Sequence, residues 1–232
     1  MEKISISIFF PCYNEEKNVG TLLTKAIQFI PNITSDYEII VVDDGSIDAT
    51  AEIAQSFSQN HSQVRVIRHE TNKGYGAALK TGFASCGKDY IFFTDGDNQF
   101  DITEIAKLLP YVKEFDIVTG FRMKRRDNFV RKINEFCFNR LVRILFGLKI
   151  RDLNCAFKIY KREVINSLEL RSSWGFINSE LLIRAKKNGF TIKEVGVTHY
   201  PRRWGSQTGA NLKVVAGSLR ELFKLRKELK EK

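Results

Sequence analysis

The chain has 232 residues, 43% of them apolar, which is enough for one domain with a real core and excludes a disordered tail or a disulfide-stapled miniprotein. Its 37 Lys and Arg outnumber its 27 Asp and Glu, and the resulting charge of +10 favours anionic partners: nucleotide phosphates, a nucleic-acid backbone or an acidic membrane face. Cys12, Cys86, Cys137 and Cys155 stand far apart without CxxC spacing, and His61, His69 and His199 are as scattered, which argues against a zinc site or a disulfide framework.

The opening MEKISISIFF holds a short apolar run before Pro11, and no stretch reaches the roughly 18 apolar residues that span a bilayer. The chain is therefore read as cytoplasmic, with contact at a membrane surface left open. Short β-branched and aromatic runs predict strands at 5–10, 38–42, 64–68, 90–94 and 117–119. Apolar residues at helical spacing predict helices over 18–30, 49–58, 77–85 and 103–112. This alternation predicts an α/β fold with a Rossmann-like, mostly parallel central sheet flanked by helices.

Ligands in such sheets bind beyond the carboxyl ends of the strands. The unusual residues fall there: PCYNEE after the first strand, DDGSIDAT after the second, NKGYGAA after the third and DGDNQ after the fourth. After Gly120 the texture changes to a basic stretch, Arg122, Lys124, Arg125 and Arg126, and then an amphipathic segment over 128–146. In it Val130, Ile133, Cys137, Leu141 and Leu145 form one stripe, with Arg131, Arg140 and Arg143 on other faces. The tail from 212 to 232 sets Leu212, Val215, Leu219, Leu222, Phe223 and Leu229 among many Lys and Arg. Such a basic helix either lies on an acidic bilayer or packs its first turns on the sheet. No linker rich in Pro, Gly or Ser and no internal repeat divides the chain, so 1–232 is read as one domain.

Asp95 and Asp97 flank Gly96 directly after the apolar YIFFT. Residues two apart in an extended backbone point the same way, and the glycine lets the chain approach a ligand closely. Two hard oxygen donors at a strand end suit Mg²⁺ or Mn²⁺, which would bridge a diphosphate; a solvated acidic turn is the plainer alternative. In VVDDGSIDAT, Asp43 and Asp44 should point to opposite sides, one accepting hydrogen bonds from a base or ribose and the other supporting the site. Asp48 reads as a helix cap.

FFPCYNEEKNVG, IIVVDDGSIDAT, NKGYGAALKTGF, FFTDGDNQFD and DLNCAFKIYKRE together resemble family 2 glycosyltransferases of the GT-A fold, nearest the dolichol-phosphate mannose synthase-like, polyprenyl-phosphate subgroup. The likeness runs from about residue 4 to residue 212. It implies a nucleotide-sugar-binding half over 1–120, an acceptor half over 121–211 and acceptor-side amphipathic helices. It also implies that Pro11, Tyr13, Glu15, Val42 and Asp44 line the nucleotide pocket. By the same likeness Asp95, Gly96, Asp97 and Gln99 form a DxD-like motif, with Asp95, Asp97 and Gln99 holding the metal. Gly74 and Gly76 turn the chain beside the donor or form an ordinary loop before a helix.

In the second half, Arg122 stands at the place of an arginine expected near donor or acceptor phosphates. Arg131 resembles one that grips a lipid phosphate, or else lies on a solvated helix face; Glu135 follows where some relatives carry serine. HYPRRWGSQTGAN resembles the RxxG-type loop that closes over the donor, through Arg202 and Gly205, with Gln207 and Thr208 in place of a Ser-Lys pair. The implied reaction is inverting, metal-dependent transfer from a nucleotide-diphosphate sugar of GDP-mannose or UDP-glucose type to a polyprenyl or dolichyl phosphate, at the cytoplasmic face of a membrane. Asp97, Arg122, Arg202 and Asp152 would carry it. If the acceptor is instead a hydroxyl of a soluble glycan, a carboxylate must take its proton, and Asp152 and Glu180 are the candidates, each with an alternative structural role. A basic nucleic-acid-binding module is the competing class; no nucleic-acid fold signature supports it, and no nucleic-acid partner is expected.

Overall fold

The computed structural model describes residues 4–123, 129–172, 174–205 and 212–231, with the side chains of 129–133 and 212–215 outside that description. In the first half, β1 (Ile6–Cys12), α1 (Glu16–Phe29), β2 (Tyr37–Asp43), α2 (Thr50–Asn60), β3 (Val64–Arg68), α3 (Tyr75–Ser85) and β4 (Tyr90–Thr94) alternate as the sequence predicts. The second half comprises β5 (Ile117–Met123), α4 (Phe129–Phe146), β6 (Phe157–Lys161), α5 (Arg162–Ser167), α6 (Ile177–Lys187), β7 (Ile192–Thr198) and α7 (Leu212–Glu231).

The helix expected over 103–112 is not an α-helix. Two short 3₁₀ turns replace it, Ile102–Lys107 and Leu109–Tyr111. Pro110 lacks an amide hydrogen and its ring crowds the carbonyl one turn back, so the helix cannot run through. The Asp101 carboxylate caps the first turn, accepting from Thr103 N at 3.2 Å. In α4 Val142 is buried and Phe138, Leu141 and Leu145 pack partly buried against the core, whereas Cys137, expected on the apolar stripe, is exposed.

The sheet has seven strands in the order β3-β2-β1-β4-β6-β5-β7. β1 pairs in parallel with β2 and β4, and β2 with β3. β6 runs antiparallel to both β4 and β5, whereas β5 and β7 are parallel. Apolar residues on both faces of the central strands explain their burial. Phe9, Phe83, Phe93 and Tyr160 pack against one another beneath α3, and Phe92, Phe157 and Phe100 form a second ring cluster.

This topology fixes where a ligand can sit. The chain winds outward from β1 to β2 and β3 on one side and reaches β4 on the other, so a crevice opens between the carboxyl ends of β1 and β4. Because β6 is reversed, the loop entering it, at 152–156, reaches the same edge as the ends of β4, β5 and β7.

Candidate active site

Pro11 and Cys12 end β1 as buried residues, and Tyr13 beyond them is exposed. Asn14 takes a left-handed conformation, φ 55°, which turns the chain so that its amide donates to Ser46 Oγ at 2.9 Å and its side-chain oxygen accepts from Ile47 N at 3.0 Å. The loops after β1 and β2 are thus laced together. Glu15 follows, buried, with its amide donating to Thr50 Oγ1 at 2.7 Å and Oε2 accepting from Asn18 Nδ2 at 2.6 Å. Burial raises its pKa, assisted by the charge of Asp97 and opposed by Asn18 and Arg202.

Val42 is buried in β2, and the two aspartates after it diverge as the alternation of a strand demands. Asp43 accepts from Ser46 N at 3.1 Å and lies 3.1 Å from Arg68 Nε. Asp44 lies 2.6 Å from His69 Nδ1 and accepts from the amides of Lys73 and Gly74, each at 2.9 Å. Its carboxylate therefore holds the NKGYG loop at the mouth of α3. Asp48, expected as the cap of α2, stands one residue before the cap position, which is Ala49; its carboxylate accepts from Thr50 N at 3.0 Å and Glu16 N at 3.2 Å and so ties the start of α2 to α1.

After β4 the chain passes under the crevice. A Cβ on Gly96 would stand 2.5 Å from Cys12 Sγ and 3.1 Å from the Pro11 carbonyl oxygen, so only glycine lets the turn lie against the end of β1. Asp95 and Asp97 flank it as expected. Asp95 Oδ1 accepts from the Tyr75 hydroxyl at 2.8 Å, and Asp97 Oδ1 accepts from Gln99 N at 3.0 Å. Gln99 turns toward the segment after β7: its Nε2 donates to the Tyr200 carbonyl at 3.0 Å and its own carbonyl accepts from Tyr200 N at 2.8 Å.

That segment brings Arg202 into the crevice. Its guanidinium bridges Glu15 Oε1 and Asp97 Oδ2, the latter at 3.3 Å, while Nε donates to the Trp204 carbonyl at 2.7 Å. Trp204 is half exposed, with Lys17 Nζ 4.8 Å from its ring centre. Gln207 and Thr208 lie outside the described residues. Among the described residues Glu15 and Asp97 share Arg202, with Asp95 beside them. Burial and then the charge of Asp97 push Asp95 up to about 7, and burial and then the charge of Asp95 push the Tyr75 hydroxyl well up.

Among the described residues no group of three or more His, Cys, Asp or Glu forms a closed metal cage. The two carboxylates on the turn are nonetheless a donor set that fits Mg²⁺ or Mn²⁺, which take one or two carboxylates and complete their shell with phosphate and water.

On the far side of β4, Arg122 at the end of β5 is buried against Asp152. Nε donates to Asp152 Oδ2 at 2.6 Å, Nη2 to Oδ1 at 2.7 Å, and the Arg122 amide also reaches Oδ2 at 3.1 Å. Glu135 of α4 stands 3.2 Å from Nη2. Burial opposes the charge of Arg122, but these two carboxylates hold its pKa above the usual arginine range. Among the described residues Nη1 is the one guanidinium nitrogen without a partner. Arg131 lies on α4, but its side chain is outside the described residues. Glu180 accepts from Arg171 N, Ser172 N and Arg184 Nε at 3.1, 2.8 and 2.8 Å, the structural one of its two readings. Residues that sequence reasoning did not single out are Tyr75, whose position between two glycines was the available signal, and His69, Asn178 and the buried Lys158, which carried none.

The model of glycosyl transferase family 2 matches residues 7–168. A dodecaprenyl-phosphate galacturonate synthase of Rhizobium johnstonii is 30% identical over 210 residues, 88% of this chain and 62% of that protein. A dolichyl-phosphate beta-glucosyltransferase of Saccharomyces cerevisiae is 26% identical over 247 residues, 94% and 72% of the two chains. The chain spans 62% to 64% of the length of the curated relatives it matches first. Among solved structures, a glucosyl-3-phosphoglycerate synthase of Mycobacterium tuberculosis in complex with Mn²⁺, UDP-glucose and phosphoglyceric acid superposes with a TM-score of 0.78 at 19% identity, over 96% of this chain and 80% of that one, a likeness of fold. The family match begins in β1, crosses the crevice at β4 and ends just past α5, so it takes in the aspartate turn and the Arg122–Asp152 pair, with Arg202 beyond it, and the chain belongs to glycosyl transferase family 2.

Proposed function

We propose that the protein transfers a sugar from a nucleotide-diphosphate sugar to a polyprenyl phosphate at a membrane surface, with inversion at the anomeric carbon and with Mg²⁺ or Mn²⁺ at Asp95 and Asp97. The observation that carries the reading is the convergence of Glu15, Asp95 and Asp97 on the crevice at the β1/β4 switch, with Arg202 as their described counter-charge. The names of the curated relatives support the acceptor class, and the Mn²⁺ and UDP-glucose in the solved neighbour support the donor and the ion.

Bound there, a divalent cation neutralises charge on a diphosphate and makes it a better leaving group. Asp95 and Asp97 are placed to hold it. Arg202 sits on the segment after β7 and supplies a second positive charge to the same region, where charge develops as the nucleotide departs. Arg122, near the end of β5, is oriented by Asp152 and would supply a further positive charge. Asp152 is committed to that guanidinium through two short hydrogen bonds, which makes it a poor base. A phosphate acceptor is already anionic near neutral pH and needs none, so this pairing favours a polyprenyl phosphate over a glycan hydroxyl.

The test is a transfer screen with UDP-glucose, UDP-galactose, UDP-glucuronate and GDP-mannose, each with Mn²⁺, Mg²⁺ or EDTA, offered a short-chain polyprenyl phosphate or free sugars. Transfer to the lipid phosphate, lost with EDTA and in Asp97→Ala, is expected. Full activity of Asp97→Ala removes the metal assignment; transfer only to free sugars removes the lipid acceptor.

A further inference from the structure

We propose that Tyr75 is a positioning residue for the cation: by holding Oδ1 of Asp95 it leaves that aspartate one oxygen to offer, which favours a small octahedral ion over Ca²⁺. The inference rests on the proposed cation at Asp95 and Asp97 and names what selects it.

The tyrosine is firmly placed. It opens α3, and Gly74 before it has φ 92° and ψ 157°, a conformation that residues with a side chain rarely adopt. The amide of Gly74 donates to Asp44 Oδ2 at 2.9 Å and to Asn72 Oδ1 at 3.0 Å, and that of Lys73 to Asp44 Oδ1 at 2.9 Å. The ring packs partly buried against the core. From this fixed base the hydroxyl reaches Asp95 Oδ1 at 2.8 Å. The direction of the bond is fixed as well. Asn178 Nδ2 lies 3.4 Å from the same hydroxyl and can only donate, so the one hydroxyl hydrogen goes to the carboxylate.

The two oxygens of Asp95 are thereby unlike. Among the described residues Oδ1 has Tyr75 and Oδ2 has no hydrogen-bond partner, and Oδ2 is not among the fully covered polar atoms. Asp97 is arranged in the same way, with Oδ1 accepting from Gln99 N at 3.0 Å and Oδ2 turned to Arg202 Nη1 at 3.3 Å. The turn itself supplies the donor on Asp97, whereas the donor on Asp95 is a single hydroxyl brought from α3.

An oxygen that already accepts a hydrogen bond is a weaker donor to a cation, so each aspartate offers one oxygen. Mg²⁺ keeps to a near-ideal octahedron, which a carboxylate biting with both oxygens distorts, while Ca²⁺ takes roughly six to eight ligands and accepts a carboxylate by one oxygen or both. Hydrogen-bonded neighbours of a ligating carboxylate also hold it in place, and losing one costs about 10–100-fold in metal affinity. Removing the Tyr75 hydroxyl therefore weakens Mg²⁺ and spares Ca²⁺, to which the released carboxylate can turn both oxygens.

The test measures how much Mg²⁺ or Ca²⁺ half-saturates the binding of UDP or of GDP to the wild type and to Tyr75→Phe. If neither ion promotes binding of either nucleotide to the wild type, the proposed cation falls together with this inference. Where one pair responds, Tyr75→Phe should need about 10–100-fold more Mg²⁺ but at most about threefold more Ca²⁺. Equal losses for the two ions mark a merely structural role and overturn the inference, as does no loss for either. Crystals of the wild type soaked with Mn²⁺ and the responding nucleotide decide the matter independently of how the variant folds. They should show the ion on one oxygen of Asp95, with the Tyr75 hydroxyl within hydrogen-bond distance of the other. Both oxygens on the ion, or the hydroxyl withdrawn, overturns the inference and leaves the cation assignment standing; an ion bound away from both aspartates overturns the two together.

Discussion

Asp95 is the residue whose titration reports on the site, because burial and then the charge of Asp97 hold it at about 7. An aspartate in an unfolded chain titrates near pH ~3.9. Between those values the folded protein binds more protons than the unfolded chain, so this group's contribution to stability falls as pH rises, and the loss is complete above about 7. Asp95→Asn should abolish that dependence, and thermal melts of the metal-free protein should show the variant matching the wild type near pH 4 and exceeding it at pH 8. A ligand must shed its proton to bind a metal. Mn²⁺ in the presence of a nucleoside diphosphate should therefore bind the wild type about tenfold more weakly at pH 6 than at pH 8, readable by calorimetry. Arg122 and Asp152 call for a different experiment, since their side chains are 4% and 6% exposed. Removing one member of a buried pair strands the other charge, so Asp152→Asn should cost about 3–5 kcal/mol in denaturant unfolding. A residue serving only as a base would lower kcat and leave stability intact. The aspartate spacing on either side of Gly96 is visible in the sequence because one strand end sets it. The Arg122 pairing is not, because its partners are 30 residues apart and meet only through the reversal of β6.

Among the elements, α4 and α7 each present two faces. α7 buries Leu222 and Leu225, and its Glu228 pairs with Arg184 of α6 at 3.1 Å, so its middle packs on the body of the protein. Its other side exposes Phe223, at 51%, among Arg220, Lys224 and Lys227. On α4, Phe136 and Ile144 are 66% and 70% exposed and flank Arg140, with Arg143 beside them. Among the described residues no helix is long and apolar enough to cross a membrane. Exposed aromatics between arginines suit an acidic bilayer surface instead. Phe136→Ser with Phe223→Ser should abolish co-sedimentation with phosphatidylglycerol vesicles and leave the melting temperature unchanged; retained co-sedimentation would remove the surface contact. Of the two readings open from the sequence of the tail, packing is seen at the middle of α7, at Leu222 and Leu225, the side chains of its first turn lie outside the described residues, and the vesicle experiment decides the bilayer reading. β1 to β5 were legible as apolar runs bounded by turn residues, whereas β7 lies at the sheet edge with most of its residues partly exposed and gives little alternation to read.

At the scale of the molecule, the crevice joins segments from both ends of the chain, Glu15 after β1 and Arg202 after β7, 187 residues apart. A ligand that binds across them stabilises the whole fold by mass action, by about 2.7 kcal/mol at a hundredfold excess over Kd. For a chain of this size that is a rise in melting temperature of roughly 5–10 °C, expected with nucleoside diphosphate and Mn²⁺ together. Arg202→Ala should reduce the rise, and an equal rise in that variant would place the arginine outside the ligand's reach.

The reversed strand β6 has one more outcome. Its ladder with β4, from Tyr90 paired to Lys161 through Thr94 paired to Phe157, is the seam along which the two portions of the sheet are stitched. Grafting everything beyond that seam from one family member onto the front portion of another should yield chimaeras that keep the nucleotide preference of the first and acquire the acceptor of the second, provided Phe92 and Phe157 still interlock.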